Sequence, residues 1–178
     1  MRLSKTFAAG AVALTALVTL TGCGGDDPME DSGLPKVDNM AALQQLINER
    51  GAQCDKLEPR GDEASYMEEE AKDPAWGIKE RAVCHDAQGD DMVLLLVDDM
   101  TKLQETNVKA QAKDEGKDFI IGQNFAVVPV GDGTVRALMQ SGLLAMTCDP
   151  SKREDIPSGF TVTESQVKGC FTTNYIPS

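Results

Sequence analysis

The sequence predicts an α+β domain: a two-layer sandwich with an antiparallel or mixed sheet of about four strands and helices on one face. Two observations lead there. Strand-type runs at Ile78–His85, Met92–Val97, 118–121 and 125–130 alternate sides or are short and β-branched, whereas Met40, Leu43, Leu46, Ile47 and then Val135, Leu138, Met139 recur at helical spacing. Each pair of strands is also followed by a helix-type stretch opened by acidic residues, in Val97-Asp98-Asp99-Met100-Thr101 and in Val130-Gly131-Asp132-Gly133-Thr134, so a repeat of a hairpin-helix unit is expected, although the identity between the two is too low to prove duplication.

The chain begins with Arg2, Lys5 and an uncharged apolar run closed by Leu20-Thr21-Gly22-Cys23, the form of a lipoprotein export signal. A membrane-spanning helix fits less well, because four threonines and Gly10 dilute the run and no basic flank stops it. Residues 1–22 are therefore expected to be removed. Cys23 would carry diacylglycerol and its palmitate-type chains, two chains being what stable anchoring takes. Residues 23–36, acidic and rich in Gly and Pro, are expected to form a flexible tether, and residues 37–178 a single extracytoplasmic domain with a disulfide-fastened tail.

The first helix starts near Asp38 or Asn39, either of which can cap it, and stops before Gly51. Residues 59–75 are a polar excursion, partly helical around 64–72. The turn 86–91 joins two strands, and Asp98 or Asp99 caps a helix with a thin stripe, Met100, Leu103 and Val108, expected to be largely solvated. Gly122-Gln123-Asn124 turns the next hairpin. Pro129 cannot donate to a ladder, which places its strand at an edge or bulge. The last helix is expected to bury Val135, Leu138, Met139, Gly142, Leu143 and Met146. Beyond Cys148 the chain looks irregular, with one short strand at 160–163.

Of 17 basic side chains two lie in the leader, so 15 face 29 acidic ones and the mature chain carries a net charge of −14. Nucleic acid is excluded as a partner on that balance, and anionic lipid headgroups are disfavoured. Apart from Cys23, four cysteines remain, Cys54, Cys84, Cys148 and Cys170, an even set that in an exported chain suggests two disulfides. Three pairings are open. Joining Cys54 to Cys84 and Cys148 to Cys170 is favoured, each bridge contributing roughly 3–4 kcal/mol on the loop-entropy account. Metal ligation is the weaker use, since there is no C-x-x-C pair and His85 is the sole histidine.

The helix leading to Cys54, the Ala75-Trp76-Gly77 step before Cys84, the strand at 93–97 and Gly122-Gln123-Asn124-Phe125-Ala126-Val127 together resemble small membrane-anchored lipoproteins of actinobacteria, mostly without assigned function. The resemblance covers residues 40–146. It implies an α+β fold and a Cys54–Cys84 bridge, and it brings no catalytic or binding residues. The tail with Cys148 and Cys170 departs from that group, so the second bridge rests on cysteine parity.

Candidate chemistry is sparse. A serine hydrolase needs His85 as its base, but Asp86 beside it points to the other side of a strand, and no G-x-S-x-G turn exists. Gly131-Asp132-Gly133 sits where a dinucleotide fingerprint would open a helix, yet Arg136 holds the third glycine position and Asp132 would face the phosphate, so a helix cap explains it better. Glu68, Glu69, Glu70, Asp86, Asp90, Asp91, Asp98 and Asp99 offer carboxylate pairs for a glycosidase or a calcium site, without the ligand alternation of an EF-hand. Trp76 is the one partner-binding candidate, its usual alternative being a core position over the nearby disulfide. No cofactor or metal is expected. The expected function is a non-enzymatic binding or interaction module, lipid-anchored through Cys23 on the extracytoplasmic face and engaging a protein or small molecule; the alternative is a cell-envelope hydrolase using a carboxylate pair.

Overall fold

A computed structural model describes residues 32–58, 66–129 and 131–176. The leader, Cys23 and most of the expected tether lie outside the described residues. Among those described, no helix is long and apolar enough to cross a membrane.

The α+β class holds, with one antiparallel sheet of seven strands instead of about four. The strands are β1 (Ile78–His85), β2 (Asp91–Val97), β3 (Phe119–Ile121), β4 (Phe125–Pro129), β5 (Leu144–Thr147), β6 (Val162–Glu164) and β7 (Phe171–Thr173), in the spatial order β1-β2-β4-β3-β5-β7-β6. The helices are α1 (Met40–Glu49), α2 (Glu68–Lys72), α3 (Met100–Gln111) and α4 (Asp132–Gln140).

Helices cover both faces, which corrects the two-layer expectation. Met92, Leu94 and Leu96 of β2 pack with Met40, Leu43 and Ile47 of α1 and with Leu138 and Met139 of α4. Val93, Leu95 and Val97 point the other way, into a second cluster with Met67, Trp76, Met100 and Leu103. A strand buried on both faces reads as a continuous apolar run, and 92–97 is such a run. The hairpin-helix connectivity does recur, but α3 and α4 lie on opposite faces. A rotation that superimposed the two antiparallel hairpins within the sheet would keep both helices on one face.

The missing strands come from two misread stretches. The apolar residues Leu143 and Met146 stay in phase with α4, yet the helix ends at Gln140. Gly142, at φ +96°, allows a left-handed turn in which its own N–H and that of Leu143 donate to the carbonyls of Met139 and Leu138. Leu144–Thr147 is thereby released to pair with β3, Ile120 opposite Ala145. Beyond Cys148 two strands form, not one, and Thr172 pairs with Thr163. Pro129 is the final residue of β4, opposite Met92, and β4 lies inside the sheet, so the edge expectation is also corrected: only the strand's end has to do without the donor.

α3 is less solvated than expected. Its buried stripe includes Gln104 and Asn107, both with no exposed surface. Asn107 donates through Nδ2 to the Lys117 carbonyl and accepts from the Lys117 N–H, both at 2.8 Å, and so fixes the loop entering β3.

Residues 34–37, at the junction of the expected tether and domain, pack against the sheet. Leu34 and Val37 are buried, in the second and first cluster respectively. The turn between β3 and β4 grips the backbone between them: the Gln123 N–H and Nε2 donate to the carbonyls of Pro35 and Leu34. Asn124 Nδ2 donates to the Val37 carbonyl at 2.7 Å and its Oδ1 accepts from the Val37 N–H at 3.0 Å. Residues 34–37 are thus a strap belonging to the domain.

Disulfides join Cys54 to Cys84 and Cys148 to Cys170, with Cα atoms 5.3 and 3.9 Å apart. The first ties the segment after α1 to β1. The second ties the ends of two chain segments that together build the cleft described next.

Candidate ligand cleft

α4 runs over β3 and β4, and the same face of β5 and β7 continues beyond it. The floor there is Ile120, Ala145 and Thr173, which share one face because each stands opposite the next in register. Val135 and Met139 of α4 form one wall, and Ile156, Tyr175 and Ile176 form the other. The space enclosed is about 520 Å³, within the usual range for a small-molecule site. It takes in Phe119 at the start of β3 and Pro129 at the end of β4, so it lies at the end of the sheet opposite the strap.

Both parts of the outer wall begin at the second disulfide. From Cys148 a short 3₁₀ turn, Pro150–Arg153, leads to Ile156; from Cys170, β7 leads to Tyr175. Phe160 stands edge-on to Tyr175, ring centres 4.9 Å apart, and is 45% exposed, with Val162 exposed nearby in sequence. Charge is confined to a few positions. Lys152 is ion-paired with Asp118, whereas Arg136, Asp132 and Asp155 line the cleft without an ion pair among the described residues.

The residues singled out in the sequence lie elsewhere. Trp76 is 7% exposed, in the cluster with Met100 and Leu103, whereas the Cys54–Cys84 bridge belongs to the cluster on the other face. It therefore neither presents its ring to a partner in this structure nor packs over that disulfide. His85 is exposed, and its Nδ1 lies 2.9 Å from an oxygen of Asp91, its partner across the hairpin. The carboxylates are dispersed: Glu68 and Glu69 pair with Lys72, Asp99 caps α3 by accepting from the Lys102 N–H, and Asp86, Asp90 and Asp91 occupy the opposite end of β2. Among the described residues no three metal-ligating side chains converge.

Asp86 has a structural use the sequence did not reveal. Its Oδ1 accepts from the N–H groups of Gln88 and Asp90, and its Oδ2 accepts from the Thr134 hydroxyl at 2.6 Å. The β1–β2 turn is thereby tied to the first turn of α4, where a negative charge is favoured. Gly131 suits that junction, because a Cβ there would come within 2.7 Å of Asp90 Oδ2 and 2.9 Å of Asp86 Oδ2 and would displace both carboxylates. Asp132, read as a cap, is instead the first helical residue; Gly131 holds the cap position without a side-chain bond. Burial pushes the Asp86 carboxyl up, but the hydrogen bonds from Thr134, Asp90, Gln88 and Gly89 outweigh it and hold its pKa below the ordinary value.

That shift has a pH signature. The folded pKa lies below the unfolded one, so the stabilisation is complete above about pH 4 and is lost as pH falls through the folded value. Asp86→Asn is expected to lower stability by about 1–2 kcal/mol at pH 7. Melting curves should show the gap from wild type narrowing below about pH 4; a gap constant down to pH 2 would mean the charge is immaterial.

Among the described residues, Asp86, Glu58 and Asp149 have carboxyl pKa values held below the ordinary range by hydrogen bonds, from Thr134 and backbone N–H groups, from Lys56 and from Ser151 respectively. Lining residues of the cleft escaped the sequence reading because they come from four separated stretches, 118–120, 129–139, 145–156 and 171–176. The available signal was the concentration of Ile156, Phe160, Phe171, Tyr175 and Ile176 in a tail that otherwise looks irregular. Comparison with protein-family models, curated proteins and solved structures finds no match to this chain.

Proposed function

We propose that the chain is a membrane-anchored extracytoplasmic binding protein, lipidated at Cys23, that holds a small and mostly apolar ligand in the cleft between α4 and the C-terminal tail. One observation carries this reading: a 520 Å³ space lined mainly by apolar side chains, among them Ile120, Val135, Met139, Ala145 and Ile156, with charged groups at a minority of its lining positions. The export signal at 20–23 supports the location, and the net charge of −14 argues against nucleic acid as the ligand. Placement of the cleft at the sheet end opposite the strap supports uptake from the aqueous side, since the chain enters the domain at the other end.

The test is the native mass of the mature protein extracted gently from its own membrane without reductant. The expected result is a discrete excess beyond the lipid and two disulfides, displaced when the cleft is filled by Ala145→Trp. An excess unaffected by that substitution would place the ligand elsewhere. A bare lipidated chain would count against retained ligand.

A further inference from the structure

We infer that the cleft selects an amphiphile with an apolar body and a single carboxylate, and that Arg136 is the residue that recognises the carboxylate. This rests on the cleft being the binding site. Arg136 follows Val135 on α4, whose side chain forms the apolar wall, and both line the cavity. Among the described residues its guanidinium has no ion-pair partner, although Asp132, one turn earlier, has the i,i+4 spacing at which such pairs form. The other lining cation, Lys152, is already neutralised by Asp118. Arg136 is therefore the cation at this site available to a ligand, and its planar fork matches a carboxylate through two parallel hydrogen bonds.

The apolar part has a matching place. Ile120, Ala145 and Met139 supply aliphatic surface, and Tyr175 closes the outer side. The flanking acids set the charge limit. Asp132 and Asp155 also line the cleft, and with Lys152 and Asp118 cancelling they outnumber Arg136 by one, so the two hydrogen bonds of its fork must hold a single negative charge against a net −1 lining, and a second charge meets stronger repulsion. A monocarboxylate fits this balance better than a phosphate dianion.

The experiment uses the full chain with Cys23→Ser, so that no attached acyl chains compete, and titrates it calorimetrically with decanoate and with decanol. Decanoate is expected to bind about tenfold more tightly than decanol, and Arg136→Gln to bring the two affinities together. Arg136→Lys should recover only part of the difference. Ala145→Trp, which fills the floor, should weaken both probes. If Arg136→Gln binds decanoate as wild type does while Ala145→Trp does not, the carboxylate assignment fails and the cleft stands. If Ala145→Trp binds both probes normally, or if neither probe binds wild type, the cleft reading fails with it. Unchanged melting temperatures separate these results from misfolding.

Discussion

Replacing Cys54 and Cys84 together by alanine is expected to lower stability by roughly 3–4 kcal/mol. The bridge closes a loop of 30 residues in sequence separation, so its loss enlarges the unfolded ensemble. It also removes two fully buried sulfur atoms from the α1 side of the core. Cys54 is in addition the docking point for the end of α1: its carbonyl accepts from Gln44 Nε2 and Asn48 Nδ2, and its N–H donates to Asn48 Oδ1. The melting temperature should fall by about 10 °C in a circular dichroism melt without reductant. A fall of under about 2 °C would show that these hydrogen bonds and the α1 packing hold the segment without the bridge.

The second bridge should behave differently. Removing Cys148 and Cys170 takes away a comparable loop constraint, about 3 kcal/mol, but what it fastens is local. β6 and β7 have three residues each, and β6 is exposed along its whole length. The expected result is detachment of the tail with the β1–β4 part of the sheet intact. Hydrogen exchange should accelerate at 171–173 and stay slow at 93–95. Because both parts of the outer wall start at this disulfide, decanoate binding should weaken more than tenfold. Unaltered binding by the double variant would mean that the tail keeps its place through Phe171 and its partners alone.

The contrast between the two halves explains what could be read from the chain. α1, β1, β2 and the β3–β4 hairpin were legible because each is long enough, or flanked by a clear enough turn, to display its period. Leu144–Thr147 was not, since its apolar residues continue the phase of α4 and only the turn at Gly142 separates them. β6 and β7 have too few residues to show alternation and exist through pairing. Gln104 and Asn107 extend the buried stripe of α3 beyond its apolar residues, and polar side chains leave no mark in an apolar pattern, although Asn107 is held in place by two specific hydrogen bonds. The cleft was the least legible part: its floor is contributed by positions 120, 145 and 173, which only the register brings side by side.

The strap at 34–37 also determines how the domain bears mechanical load. Tension arriving along the N-terminal segment enters the sheet at the β3–β4 turn, which belongs to two interior strands, and so cannot peel the sheet open from an edge. Bonds at Leu34, Pro35 and Val37 are pulled together, and Leu34 and Val37 must leave apolar sites on opposite faces. The cleft, at the far end of these strands, is shielded from that force.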